Sequence, residues 1–337
     1  MIPAAASYAG LMSTTLFAAL VFAAATTLVS AFALRHVRSR ILKIEPSARA
    51  RIYLGFAALP LIGAMAGLLA SFLPSMLSWA GVVADHCHLH PDHIHLCLQH
   101  PPQLAHTFVA SMFLAAVLLI GGCILAGWLL NMYNTRRLVR RFLQTSRHDI
   151  ARALHIVDTD APLAFAAGLR SPQLFLSSRL IAQLPAEQLN AVIAHERAHA
   201  ARHDALIHTL AAALSYLHLP STRKELLLNL SLAAEQACDE SACAATGDRL
   251  VVAEAIVAVE RLFAMHSPGQ TRKLCAINHF NDSNVDLRVM AMLEAPRLEK
   301  PSARVFWFAG IATVLMLAAL GDPLHHATES LLGLIFH

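Results

Sequence analysis

Residues 185–199 read PAEQLNAVIAHERAH, and the polar half of the chain is organised around this stretch. Apolar residues recur at Leu189, Val192, Ile193 and Ala194 with the spacing of a helix. Pro185 stands at the first helical turn, with Glu187 just inside it. On such a helix His195 and His199 lie four residues apart on one face, so both imidazoles reach a single ion. Borderline-soft Zn²⁺ suits that pair, and one catalytic zinc is expected. Glu196 sits beside the first ligand, where its carboxylate can take a proton from water polarised by the ion and pass it to a leaving amine. The chain holds 20 His in 337 residues, yet independent draws give only roughly 0.04 matches to H-E-x-x-H. A His-rich composition therefore does not account for the motif.

A catalytic zinc needs a third protein ligand and an open position. A third His at the metzincin spacing is missing, since Ala205 stands there and Arg202 stands where that pattern wants Gly. Glu235, in the run Glu235-Gln236-Ala237-Cys238-Asp239, is the expected third ligand, ahead of Glu240 and Asp239. Asp239, one turn further on, is placed to hydrogen-bond a ligand histidine from behind. Cys238 and Cys243 are open as thiolate ligands but read better as small buried hydrophobes, and His203 and Asp204 either support the site or, the favoured reading, cap the turn after the zinc helix. Tyr216 and His218 are both open as stabilisers of an oxyanion. Ahead of the zinc helix, apolar runs at 153–157, 163–167 and 173–178 are broken by Pro162, Gly168 and Pro172, which predicts a small sheet. The strand around Gln173 to Ser177 is the expected free edge for an extended substrate. Helices are expected at about 203–218, 223–246 and 249–265.

Further out, the composition changes. Hydrophobic residues make up 56% of the chain and charged ones 14%, and the mean hydropathy is +0.53, which points to a bilayer as solvent for much of it. Stretches 11–34, 52–80, 107–130 and 305–321 contain no charge and approach the roughly 20 residues a spanning helix needs. No Lys or Arg precedes the first stretch, so it reads as a retained span and not as a secretory signal. Arg35, Arg38, Arg40, Lys43, Arg49 and Arg51 lie between the first two spans. Arg136, Arg137, Arg140 and Arg141 follow the third, and Arg297, Lys300 and Arg304 precede the fourth. By the positive-inside rule this places 135–303 in the cytoplasm and both termini outside. The basic run 136–147 reads as a stop-transfer flank. The expected divisions are thus 1–134 with three spans, 135–303 as a catalytic domain, and 304–337 with the fourth span and a short outer tail. The fold class is a four-span α-helical membrane protein with a cytoplasmic α+β zinc peptidase domain. A net charge of +4 gives no reason to expect a nucleic-acid ligand.

The outer loop 81–106 carries His86, Cys87, His88, His90, His93, His95 and Cys97, followed by His100 and His106. This ligand set suits a second transition metal, zinc or copper, and metal sensing is one expectation. A solvated loop with a Cys87–Cys97 disulfide is the other.

Several segments together resemble the BlaR/MecR-type antirepressor metallopeptidases of bacteria. They are Ala164-Phe165-Ala166-Ala167-Gly168-Leu169, the zinc helix with Arg202-His203-Asp204, Glu235-Gln236-Ala237-Cys238-Asp239, and Asp286-Leu287-Arg288-Val289-Met290-Ala291-Met292-Leu293. The resemblance implies a gluzincin domain between the third and fourth of four spans in the inner membrane. It also implies a regulatory endopeptidase that acts on a BlaI/MecI/CopY-type DNA-binding repressor after an outside signal. The drug-sensing members carry a penicillin-binding domain after the fourth span, and no S-x-x-K motif of that kind follows residue 321, so sensing of β-lactams is not expected. The competing expectations are an HtpX-like quality-control metalloprotease and a non-proteolytic membrane metal receptor or transporter. Against the last, the four stretches contain no His and no charged residue for an ion path.

Overall fold

The computed structural model describes residues 4–82, 107–266, 284–294, 323, 326–331 and 333. The outer histidines and cysteines at 86–97 and the fourth apolar stretch lie outside the described residues. Among the described residues, three helices are long and apolar enough to cross a membrane: α1 (Ala4–Ile41), α2 (Pro46–Trp79) and α3 (Thr107–Thr145). Each extends past its charge-free stretch on the arginine-rich side, because Arg and Lys are good helix formers once the chain leaves the apolar layer. α1 and α2 pack closely where Gly63 lies against Thr26 and Gly67 against the Phe22 ring, leaving no room for a Cβ on either glycine. Small residues at a crossing are how membrane helices gain contact without a hydrophobic driving force. α3 is held more loosely. The apolar part of its span has no buried residue, and Phe17 against Phe113 is an edge contact tying it to α1.

α3 stays helical through the basic run to Thr145 and feeds directly into β1 (Ser146–Asp149). Three further strands follow, β2 (Leu154–Val157), β3 (Ala164–Ala167) and β4 (Gln173–Ser177). The sheet order is β1-β2-β4-β3, with β2 and β4 parallel and the outer pairs antiparallel. β4 is therefore an interior strand, and the expectation that it offers a free edge is corrected. Its Phe175 and Leu176 are fully buried, as a strand paired on both sides requires. The free edge nearest the zinc helix belongs to β3.

The remaining elements are helical: α4 (Ser178–Gln183), α5 (Ala186–Arg202), α6 (Asp204–Leu214) with a 3₁₀ turn Ser215–Leu217, α7 (Pro220–Thr246), α8 (Arg249–His266) and α9 (Val285–Leu293). α5 buries Leu189, Val192 and Ile193 together with Leu154 and Leu176 of the sheet and Val252 and Ile256 of α8. α7 serves two cores. Its Leu226, Leu230 and Ala233 close over Leu34 and Ile41 of α1 and Ala50 and Tyr53 of α2, while Ala242 joins the core beneath α5. Through α7, the sheet-and-helix domain that follows α3 is packed onto α1 and α2.

Candidate active site

α5 and α7 come together through small side chains. Ala233, Ala234, Ala237 and Cys238 of α7 are all buried, and their size brings the α7 backbone close enough for Glu235 to reach the histidines of α5. The Nε2 atoms of His195 and His199 are 3.1 Å apart. Glu235 places Oε2 3.5 Å from His195 Nε2 and Oε1 3.5 Å from His199 Nε2. A tetrahedral ion bound at the usual zinc distances would separate two N or O ligand atoms by ~3.3–3.4 Å, so the triangle formed by these three side chains matches the face of such a site.

The atoms that do not face the triangle are held from behind. His195 Nδ1 lies 2.9 Å from Asp239 Oδ1, and His199 Nδ1 lies 2.8 Å from Asp204 Oδ2. Each imidazole thereby keeps its Nε2 turned to the common point. Asp204 also receives the Arg202 guanidinium at 3.2 Å and the Cys238 thiol at 3.5 Å. It is the first residue of α6, directly after His203, whose left-handed backbone (φ 54°) turns the chain between α5 and α6. The sequence reading favours a structural turn for His203 and Asp204 over support of the site. The turn is there, and Asp204 also holds the His199 imidazole. Glu240, the rival third ligand, is committed to Arg249 through contacts of 2.5 and 3.0 Å.

Arg288 is the residue whose place in the site no sequence signal announced. From α9 it forks onto Asp239 at 2.6 and 2.8 Å and reaches Glu235 at 3.0 Å. Next to it, the backbone carbonyl of Leu287 accepts from Gln236, which is also paired with Arg49 of α2. A polar chain thus runs from a span to the segment that carries Arg288.

The charges in the site are strongly coupled. Burial works against an ionised Glu235 and Asp239, but Arg288 and the two imidazoles outweigh it and hold both carboxyls below their ordinary range. Burial also opposes protonated imidazoles, but the carboxylates around them outweigh it: Asp239 and Glu235 raise His195, and Glu235 with Asp204 raises His199 further. Burial pushes the Cys238 thiol up to about 11, and it donates to Asp204 Oδ2.

Glu196 is buried, and its Oε2 has no hydrogen-bond partner among the described residues. It lines a cavity of about 290 Å³ together with the three metal-facing side chains. A buried carboxylate oxygen is costly to leave unpaired. Apolar side chains, among them Val192, Val252, Ile256, Val259, Phe142 and Phe165, make up much of the remaining wall, with Thr159, Asp239, Glu260 and Arg288 as its other polar members. Tyr216 and His218 do not line it. Tyr216 is exposed beneath the Arg223 guanidinium, and His218 is bonded to the Phe56 carbonyl of α2. Neither is placed to stabilise an oxyanion.

Residues 134–272 match the model of Peptidase family M48. The match covers the strands, the zinc helix and α7, and it supports a zinc metallopeptidase carried by a membrane protein. Comparisons with curated proteins and with solved structures return no match.

Proposed function

We propose that this protein is a membrane-bound zinc endopeptidase in which His195, His199 and Glu235 hold the ion and Glu196 is the general base. The observation that carries this reading is the 3.1–3.5 Å approach of His195, His199 and Glu235, with Glu196 lining the same cavity and its buried Oε2 without a hydrogen-bond partner among the described residues. When bound, the ion supplies a Lewis acid that polarises water and the scissile carbonyl. Glu196 removes a proton from the attacking water and delivers it to the departing amine nitrogen as the peptide bond breaks. Asp239 and Asp204 keep the imidazoles in place through these steps. An extended substrate pairs with the free edge of β3 by main-chain hydrogen bonds, and the apolar wall of α5 and α8 receives a hydrophobic side chain.

The substrate is proposed to be a cytoplasmic protein, a transcriptional repressor of the BlaI/MecI/CopY type, cut in response to an extracytoplasmic cue. The resemblance of four separate segments to antirepressor peptidases supports this, as does the placement of arginines on the side of the three spans that carries the peptidase domain. The outer His-Cys loop is the proposed receiver of the cue, with a transition metal as ligand. A second reading, an HtpX-like quality-control protease, is supported equally by the family match and differs in its substrates.

Wild type and Glu196→Gln, reconstituted in liposomes with and without chelator, are offered a repressor of that type, casein and a misfolded membrane protein. Loss of the base is expected to slow cleavage at least ~10²-fold with zinc still bound. Cleavage of the repressor alone supports the regulatory reading, and cleavage of the misfolded protein alone replaces it with the second. Equal inertness of both enzymes with zinc bound overturns proteolysis.

A further inference from the structure

After the zinc helix, residues 205–219 contain no Asp, Glu, Lys or Arg. They form α6 and the 3₁₀ turn, and α7 then returns, so the chain makes a helical hairpin with its tip at 215–219. One face of α6 is accounted for, because Ile207 and Ala211 pack into the cluster formed with α1 and α2. The neighbouring face is apolar and exposed. It presents Leu206 and Leu210, one turn apart, and at the tip Tyr216, Leu217 and Leu219, with Tyr216 54% exposed.

Two hydrogen bonds fix how far the tip reaches along the spans. Thr27 Oγ1 donates to the Leu217 carbonyl at 2.8 Å. Thr27 stands eight residues before Arg35, the first charged residue at that end of α1, and eight residues of helix measure ~12 Å. On α2, Pro60 lies inside the helix and has no N–H for the carbonyl four residues earlier, which is that of Phe56. His218 Nε2 approaches that freed carbonyl at 3.1 Å. A carbonyl released by proline inside a span has to be satisfied by a neighbour, and here the neighbour is the hairpin tip. At this level α1 itself exposes Leu28, Val29 and Phe32, each more than 60%, a surface suited to hydrocarbon.

We infer that the α6–α7 hairpin is inserted into the leaflet on the peptidase-domain side, with Tyr216, Leu217 and Leu219 against phospholipid acyl chains. The exposed tip is continuous with the lipid-facing surface of two spans and shares their depth. Arg223 follows one turn into α7. Its guanidinium carbon lies 3.9 Å from the Tyr216 ring centroid, and its Nε donates to Ser215. A cation stacked on an aromatic ring suits the boundary between acyl chains and headgroups. Exposed Lys224 beside it adds a second positive charge for lipid phosphate. Insertion also reaches the chemistry, since α6 begins at Asp204, the residue that holds His199. The inference rests on α1 and α2 spanning the bilayer and not on proteolysis.

The test replaces Tyr216, and separately Leu219, by the photoreactive p-benzoyl-phenylalanine in the full chain, reconstituted with phosphatidylcholine and phosphatidylglycerol labelled in the acyl chains. Phe32 serves as the span control and exposed Glu187 as the water-facing control. Irradiation is expected to attach lipid at 216 and 219 at the level of position 32 and several-fold above position 187. Labelling at 216 and 219 no higher than at 187 overturns the insertion. So does a crosslink at 216 or 219 to a second copy of the chain in place of lipid. The readout does not depend on peptidase activity, so an inactive enzyme leaves the result interpretable.

Discussion

Replacing Arg288 by methionine removes a guanidinium that faces both Asp239 and Glu235 while nearly conserving volume. The side chain makes two short contacts with Asp239 and one with Glu235, and Asp239 is fully buried. Removing one partner of such a buried pair costs ~3–5 kcal/mol because the other charge is left without compensation. Glu235 is partly accessible to water, which puts the expectation at the lower end, about 3 kcal/mol in the metal-free protein. Cys238 offers the assay. It is fully buried one residue from Asp239, so alkylation of its thiol, followed by peptide mass spectrometry, reports opening of the site. Since ~1.4 kcal/mol is a factor of ten, alkylation in chelator is expected to accelerate on the order of 10²-fold. Zinc neutralises Glu235, so the effect shrinks when the metal is restored. Adding Asp239→Asn to Arg288→Met recovers part of the loss. An alkylation rate within about threefold of wild type in chelator would refute the assignment of Arg288 as the counter-charge of the site.

Asp204→Asn keeps the shape but weakens the hold on His199, and zinc affinity measured against a competing chelator is expected to fall ~10–100-fold. Because the folded site raises both imidazoles above 6.5, protons compete with zinc over a range that extends above that value. Zinc affinity is therefore expected to keep rising as pH increases past 6.5, and a plateau reached at 6.5 would contradict the coupling. The same shifts act on the metal-free fold: the imidazole contribution to stability is fully present below 6.5 and is lost as pH rises through the elevated folded values, which chelator-treated protein shows as a lower Tm at higher pH. Phe142→Ala removes ring contacts of 5.2 and 5.7 Å with Phe165 and Phe175, worth ~0.5–1.5 kcal/mol each. Faster hydrogen exchange in β3 and a raised KM for extended peptides are expected, and unchanged exchange would separate Phe142 from the substrate edge.

Local order was largely legible in the residues. The zinc helix announced itself by its period and its motif, and the three apolar strands by runs cut at Pro162, Gly168 and Pro172. The i, i+4 relation of Glu235 to Asp239 put both carboxylates on one face of α7, and the structure brings that face to the histidines. β1 gave no signal, since Ser146-Arg147-His148-Asp149 has no apolar alternation and becomes a strand only by pairing with β2. Strand order was also hidden: β4 looks like a lone apolar run, and only the crossover from β2 shows it to be flanked on both sides. Asp204 and Arg288 share one difficulty. Their partners are chosen by tertiary approach, the first across the α5–α6 corner and the second across 49 residues of chain. Charge patterns along a helix carry no information about either.

The double allegiance of α7 bears on what can be cut out of this chain and handled alone. A fragment beginning at residue 134, where the family match begins, would lose Leu34, Ile41, Ala50 and Tyr53 and bare Leu226, Leu230 and Ala233 to water. Those side chains belong to the same helix that presents Glu235. Excision would therefore disturb the catalytic centre from behind, and recombinant work on soluble pieces would describe a different molecule. The smallest faithful specimen contains α1 and α2, extracted together with the enzyme they support.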